Sequence, residues 1–186
     1  EEYAWARSSF DAALGLNPTH EDALAGLGET LLKLGERARA LKCFDDVLAL
    51  GFRDDHDLVI QIGRTLFREG LFDHARGFFE VATKAHPDSS EAAACVGYAT
   101  HRRGDEEASL YWLRRALDLD ATHGEARIYL ANVLYDRGEY EAALFHFEQT
   151  EPQDHTDEMG IWRVVELKKS IYRLAQDDPE LVPWDD

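Results

Sequence analysis

The sequence is short of the features that mark most chemistry. Its two cysteines, Cys43 and Cys95, lie far apart and form no CxxC pair, which disfavours a disulfide framework and a zinc–thiolate site. No run approaches the roughly 18 apolar residues of a transmembrane helix, and the N-terminus carries no secretory pattern. The expected location is therefore cytoplasmic, without direct membrane insertion. Positive charge is scarce: 20 Lys and Arg stand against 37 Asp and Glu, a formal charge of −17. Nucleic-acid binding rests on neutralised phosphates, so no nucleic-acid partner is expected. Sustained period-two alternation is missing, and with it the sign of strands. The eight histidines form no HExxH or other close ligand spacing on one helix face. There is also no GxSxG, no P-loop lysine and no cysteine with a nucleophile's local signature. No enzyme, metal or cofactor is expected from these residues.

What is present is a folded composition, 45% hydrophobic over 186 residues, and a period. The stretch "AGLGETLLKLGERARALKCF" contains Gly26-Leu27-Gly28, which looks like the start of a phosphate-cradling loop. A dinucleotide fingerprint needs a preceding strand and a third glycine three residues on. Here "EDALA" reads as helix, and Leu31 holds the third place. The stretch instead recurs. Gly35, Gly70, Gly104 and Gly138 fall at one repeating interval, longer by a single position in its first step. Nine residues after each comes a bulky apolar residue: Phe44, Phe79, Leu113 and Phe147. Four residues before that stands Ala40, Ala75, Ser109 or Ala143. Seven residues before each glycine lies another small residue: Gly28, Gly63, Gly97 or Ala131. Gly28 is thus one member of a repeated column, expected where two helices cross closely.

Each unit holds two helical patterns separated by its glycine, a helix stop. In the first unit Leu24, Leu27 and Leu31 form one face; Ala40, Leu41, Phe44, Val47 and Leu48 form the other. Pro18 and Pro87 end helices in the inter-unit turns, where Asp and Ser residues suit N-caps.

This pattern resembles the tetratricopeptide repeat (TPR) family, whose fold is an all-α solenoid of antiparallel helix pairs, a superhelix of about ten helices here. Residues 21–55 match through Leu24, Leu27, Gly28, Leu31, Ala40 and Phe44, and residues 56–89 through Val59, Ile62, Gly63, Leu66, Ala75, Phe79, Ala82 and Pro87. Residues 90–123 match through Val96, Gly97, Leu113 and Ala116, with Ala93, Thr100 and Ser109 as weak substitutes. Residues 124–157 match through Leu130, Ala131, Leu134, Ala143 and Phe147, and depart at Arg127, Thr150 and His155, which loosens that end. Residues 1–20 read as the second half of an earlier unit, residues 158–175 as a capping helix without a partner, and residues 176–186 as an acidic, solvated or loosely docked tail.

The resemblance implies a non-catalytic scaffold, assembly factor or chaperone-like adaptor that binds a peptide or helix of a protein partner in a concave groove. In this family, residues 2, 5, 6, 9, 12 and 13 of each unit point into that groove. Transferred here, they give a candidate site of Arg64, Arg68, Tyr98, His101, Arg102, Tyr129, Asn132 and Tyr135. The arginines would engage acidic groups of the partner and the aromatics its apolar ones, Arg64 gripping a carboxylate beside Tyr98. A second candidate surface, suited to homo-oligomer formation, is an aromatic strip of Phe78, Tyr111, Trp112 and Phe145 on the second helices. The lysine/asparagine/arginine clamp that some members use for chaperone C-termini is absent, since Ala25, Glu29, Gln61, Glu91 and Cys95 hold its places. The alternative reading is a regulatory or targeting domain cut from a larger protein, an enzyme among the options.

Overall fold

A computed structural model describes residues 2–155 and 158–184, and among these ten α-helices and no strand follow one another. They are α1 (Glu2–Leu16), α2 (Glu21–Lys33), α3 (Arg37–Ala49), α4 (His56–Arg68), α5 (Phe72–Ala85), α6 (Ser90–Arg102), α7 (Glu106–Leu119), α8 (Gly124–Asp136), α9 (Tyr140–Phe147) and α10 (Glu158–Tyr172). Helices α2 and α3, α4 and α5, α6 and α7, and α8 and α9 pack as pairs, and the stack is an antiparallel helix-pair solenoid. The first helices of successive pairs also approach one another, α2 with α4 and α4 with α6, so they line the inner side of the curve.

The turn inside each pair follows from its glycine. At Gly35 the backbone reaches φ +79°, a left-handed conformation that costs a residue with a Cβ but not glycine. Gly35 N then donates to Leu32 O at 3.0 Å and Glu36 N to Leu31 O at 2.8 Å, closing a Schellman stop. The six-residue return bond recurs from Leu71 to Leu66, Asp105 to Thr100 and Glu139 to Leu134. Inter-unit turns are fixed by side chains. Asp55 and Ser89 cap α4 and α6 by accepting from Leu58 N and Ala92 N, as expected of those residues. His123 does the same for α8, while His56 and His86 reach across a turn to Ser89 Oγ and Asp54 O, each at 2.8 Å.

The two sequence columns meet in the core. A Cβ built on Gly28 would lie 2.7 Å from Phe44 Cζ, one on Gly63 2.7 Å from Phe79 Cδ1, and one on Gly97 2.9 Å from Leu113 Cγ. A Cβ on Gly26 would likewise come closer than 3.0 Å to the Phe10 ring of α1. Both glycines of the opening tripeptide therefore make room for rings. Phe44, Phe79, Leu113 and Phe147 are all fully buried. Ser109, a weak match to the small column, is also buried and donates to Gly97 O at 2.9 Å, which meets the demand that a buried hydroxyl be bonded.

Two expectations about the C-terminal end are corrected. The departures at Arg127, Thr150 and His155 form a packed polar knot instead of a loosened end. Arg127 is buried and donates to Ala121 O at 2.5 Å and Gln149 Oε1 at 2.7 Å. Thr150 donates to Phe147 O at 2.6 Å, and the His155 ring lies between Phe147 and Trp184, at 5.7 and 5.4 Å. Of the two arrangements expected of the acidic tail, the structure has the docked one: Leu181 and Trp184 are buried in one cluster with Val164 and Leu167 of α10. Leu181 stands one full repeat beyond Phe147, in the register of the bulky column. The tail thus covers α10 where a second helix would lie, and α10, which ends at Tyr172, has a partner after all.

Candidate partner-binding groove

The concave wall is built from the first helices, and side chains at the sixth position of a unit lean on the unit before. Tyr129 of α8 lies with its ring 4.5 Å from that of Tyr98 on α6, and its hydroxyl shares a 3.0 Å hydrogen bond with His101 Nδ1. At the place equivalent to Tyr129 in the next repeat, Arg163 of α10 donates to Asn132 Oδ1 at 2.5 Å and Asp136 Oδ1 at 2.8 Å. Helix α10 is therefore the first helix of a fifth unit. Its Trp162, 54% exposed, falls at the fifth position and Arg163 at the sixth. Neither was expected in the groove, although carrying the period one unit further finds both.

The expected site residues divide into three groups. His101, Arg102, Tyr129 and Asn132 line a cleft of about 600 Å³ with Glu125, Ile128, Val133, Asp136 and Asp154, between α6, α8 and the start of α10. Arg64 and Arg68 border a smaller cleft of about 340 Å³ with Asp57, Ile60, Gln61 and Glu91. Tyr98 lies between them and lines neither, packing against all three apolar clusters of the stack. Burial pushes its phenol well above the usual range, and its hydroxyl has no hydrogen-bond partner among the described residues. Tyr135 is held by packing too, its ring 5.4 Å from Tyr140 and capped at 4.7 Å by the Arg163 guanidinium.

The electrostatics differ from the expectation of arginines waiting for acids. Arg64 pairs with Glu91 at 2.8 Å, Arg68 with Glu29 at 3.5 Å, and Arg102 lies over the Phe72 ring at 4.8 Å. Lys33 pairs with Glu69 at 2.5 Å. These three ion pairs thus join neighbouring units to one another. Burial raises the Tyr129 hydroxyl to about 12, so it stays protonated at neutral pH and serves as a neutral contact. It also raises the Cys95 thiol to about 12 despite the adjacent Arg64 guanidinium. A thiol held there is no nucleophile at neutral pH.

The outer strip is broken. Phe78 is 5% exposed, packed edge-on against Phe44 at 6.3 Å, and Trp112 is half-buried. Only Tyr111 and Phe145, 61% and 63% exposed, present open rings. His20, Glu21 and Asp22 bring ligand atoms within 4.8 Å of one another at the start of α2. Glu21 and Asp22 stand in the first turn of α2, behind its N-cap His20, as acids complementing a helix dipole do.

Comparison with known proteins agrees with this architecture. One family model, described as tetratricopeptide repeat, matches residues 1–56 and 102–160, and a second of the same description matches residues 60–123. Anaphase-promoting complex subunit 3 of Schizosaccharomyces pombe is 26% identical over 148 residues, 80% of this chain and 22% of that protein. The chain spans no more than 22% of the curated relatives it matches. Among solved structures, Pseudomonas aeruginosa PilF superposes with a TM-score of 0.71 at 18% identity, covering 92% of this chain and 78% of the other. YrrB, described as a TPR protein with an unusual peptide-binding site, gives 0.62 at 20% identity, covering 96% and 91%. These two likenesses establish the fold alone.

Proposed function

Because the chain belongs to the tetratricopeptide repeat family, we propose that it is a non-catalytic interaction module that holds a peptide or helix of a protein partner in its concave groove. The observation that carries this reading is the α6/α8/α10 cleft, whose floor of Ile128, Tyr129 and Val133 is apolar and whose rim is polar. A cleft of that size takes one or two large side chains, and such mixed lining suits orientation as well as affinity. YrrB, similar in fold, is described by its peptide-binding site. Both cysteines are free, which suits the cytoplasm, and no helix among the described residues is long and apolar enough to cross a membrane.

The test is affinity capture with two baits, the chain and its Ile128→Ser variant, each checked for unchanged helicity. A partner retained by the first and lost by the second supports the groove. Equal capture of every partner by both would overturn it. The rival reading, a regulatory or targeting domain within a larger protein, is favoured by the much greater length of the curated relatives. Sequencing the full reading frame of the gene decides between them.

A further inference from the structure

We infer that the segment held in the α6/α8/α10 cleft carries a lysine or arginine beside an apolar side chain, the opposite charge to that expected from the sequence. The inference deepens the groove reading and rests on it. The cations along this wall are already engaged: Arg64 by Glu91, Arg68 by Glu29, Arg102 by the Phe72 ring, and Arg163 by Asn132 and Asp136. An incoming carboxylate would have to displace an oxygen partner at Arg64, Arg68 or Arg163. That leaves Arg102, resting on an aromatic face, as the one cleft-lining arginine without an acid partner among the described residues. The carboxylate would also approach Glu125, an exposed carboxylate at the mouth of the cleft with no ion-pair partner among the described residues. Asp154, which also lines the cleft, is exposed and accepts from Glu151 N at 2.8 Å.

A cation meets the reverse situation. Glu125 and Asp154 are carboxylates without an ion-pair partner among the described residues, beside the apolar side chains of Ile128 and Tyr129, so an ammonium or guanidinium can pair with them while its neighbour fills the cleft. The net charge of −17 draws cationic segments towards this surface from a distance and repels acidic ones. Charge complementarity thus selects a basic, apolar segment of a protein as the occupant.

Selection of a random peptide library on the full chain, with anisotropy titration of the synthesised winners, tests this. The expected winners carry Lys or Arg next to a large apolar residue. They should bind several-fold more weakly to Glu125→Lys and in high salt, and unchanged to Asp118→Lys, an equal charge change on α7. They should also lose binding to Ile128→Ser. Winners rich in Asp or Glu that still depend on Ile128 would overturn the charge inference and leave the groove reading standing. Winners indifferent to both Ile128→Ser and Glu125→Lys, or no winners at all, would overturn the two together.

Discussion

Replacing Gly63 with alanine sets two effects against each other. Gly63 lies inside α4, where alanine is favoured over glycine by about 1 kcal/mol through backbone entropy and solvation. The new methyl, however, would stand 2.7 Å from Phe79 Cδ1 and closer than 3.0 Å to more of that ring edge. Phe79 is fully buried, with Phe44, Phe78 and Leu66 in the same cluster, so the ring has no free volume into which to swing. Overpacking of this kind costs about 1–3 kcal/mol, and the larger effect wins, with a net loss of about 1 kcal/mol. Gly77→Ala isolates the opposing effect, since Gly77 is on exposed α5 surface with nothing within 4 Å of its Cβ position; it should gain about 0.5–1 kcal/mol. Urea unfolding followed by far-UV circular dichroism measures both, the midpoints being compared first because stacked repeats need not unfold in one step. A second background, Phe79→Leu, should shrink the cost of Gly63→Ala, because Leu113 fills the same place opposite Gly97. Equal stabilisation by Gly63→Ala and Gly77→Ala would refute the ring-on-glycine contact, and with it the register of the whole stack.

The C-terminal end supplies three more tests. Leu181→Ala should cost about 2–5 kcal/mol, because the side chain is fully buried against α10; a near-native urea midpoint would mean the tail is undocked in solution. Arg127→Ala should cost about 1–3 kcal/mol through loss of two charge-assisted hydrogen bonds, to Ala121 O and Gln149 Oε1, made by a buried side chain, and Arg127→Lys should restore little of it, since one ammonium lacks the fork that spans both. His146 is held neutral by burial, with Arg127 and Arg114 nearby, and its pKa falls from 6.5 to about 4. The unfolded chain then binds a proton that the folded chain refuses, so stability present above pH 6.5 is lost as pH falls towards 4. The slope is at most about 1.4 kcal/mol per pH unit and less where solvent screens the ring. His146→Gln should flatten the urea midpoint across that window, and an unchanged slope would assign the acid sensitivity to other groups.

The parts of this structure that could be read from the sequence share one property: each depends on a residue type recurring at constant spacing. Gly35 and its three counterparts mark a left-handed turn that other residues adopt at a cost, and Gly28 and Gly63 mark crossings where a Cβ would strike a ring. Those demands are local and repeated, so they leave a periodic trace. The pairing of groove charges leaves none. Arg64 and Glu91 belong to different repeats and meet at 2.8 Å only because of the angle between α4 and α6, which no residue identity encodes. Reading the arginines as free ligands therefore overestimated the positive charge of the groove. The tail left two arrangements open, solvated or loosely docked. Its composition is that of a solvated end, yet Leu181 and Trp184 alone suffice to dock it, since burying two such side chains contributes about 3–6 kcal/mol. The signal was present in Leu181's register with Phe147 but was masked by the carboxylates around it. Those same carboxylates bear on the groove. A stack that spends its cations on joining its own units presents a partner with the surplus acids, and the chemistry of recognition then follows from what the fold has left unpaired.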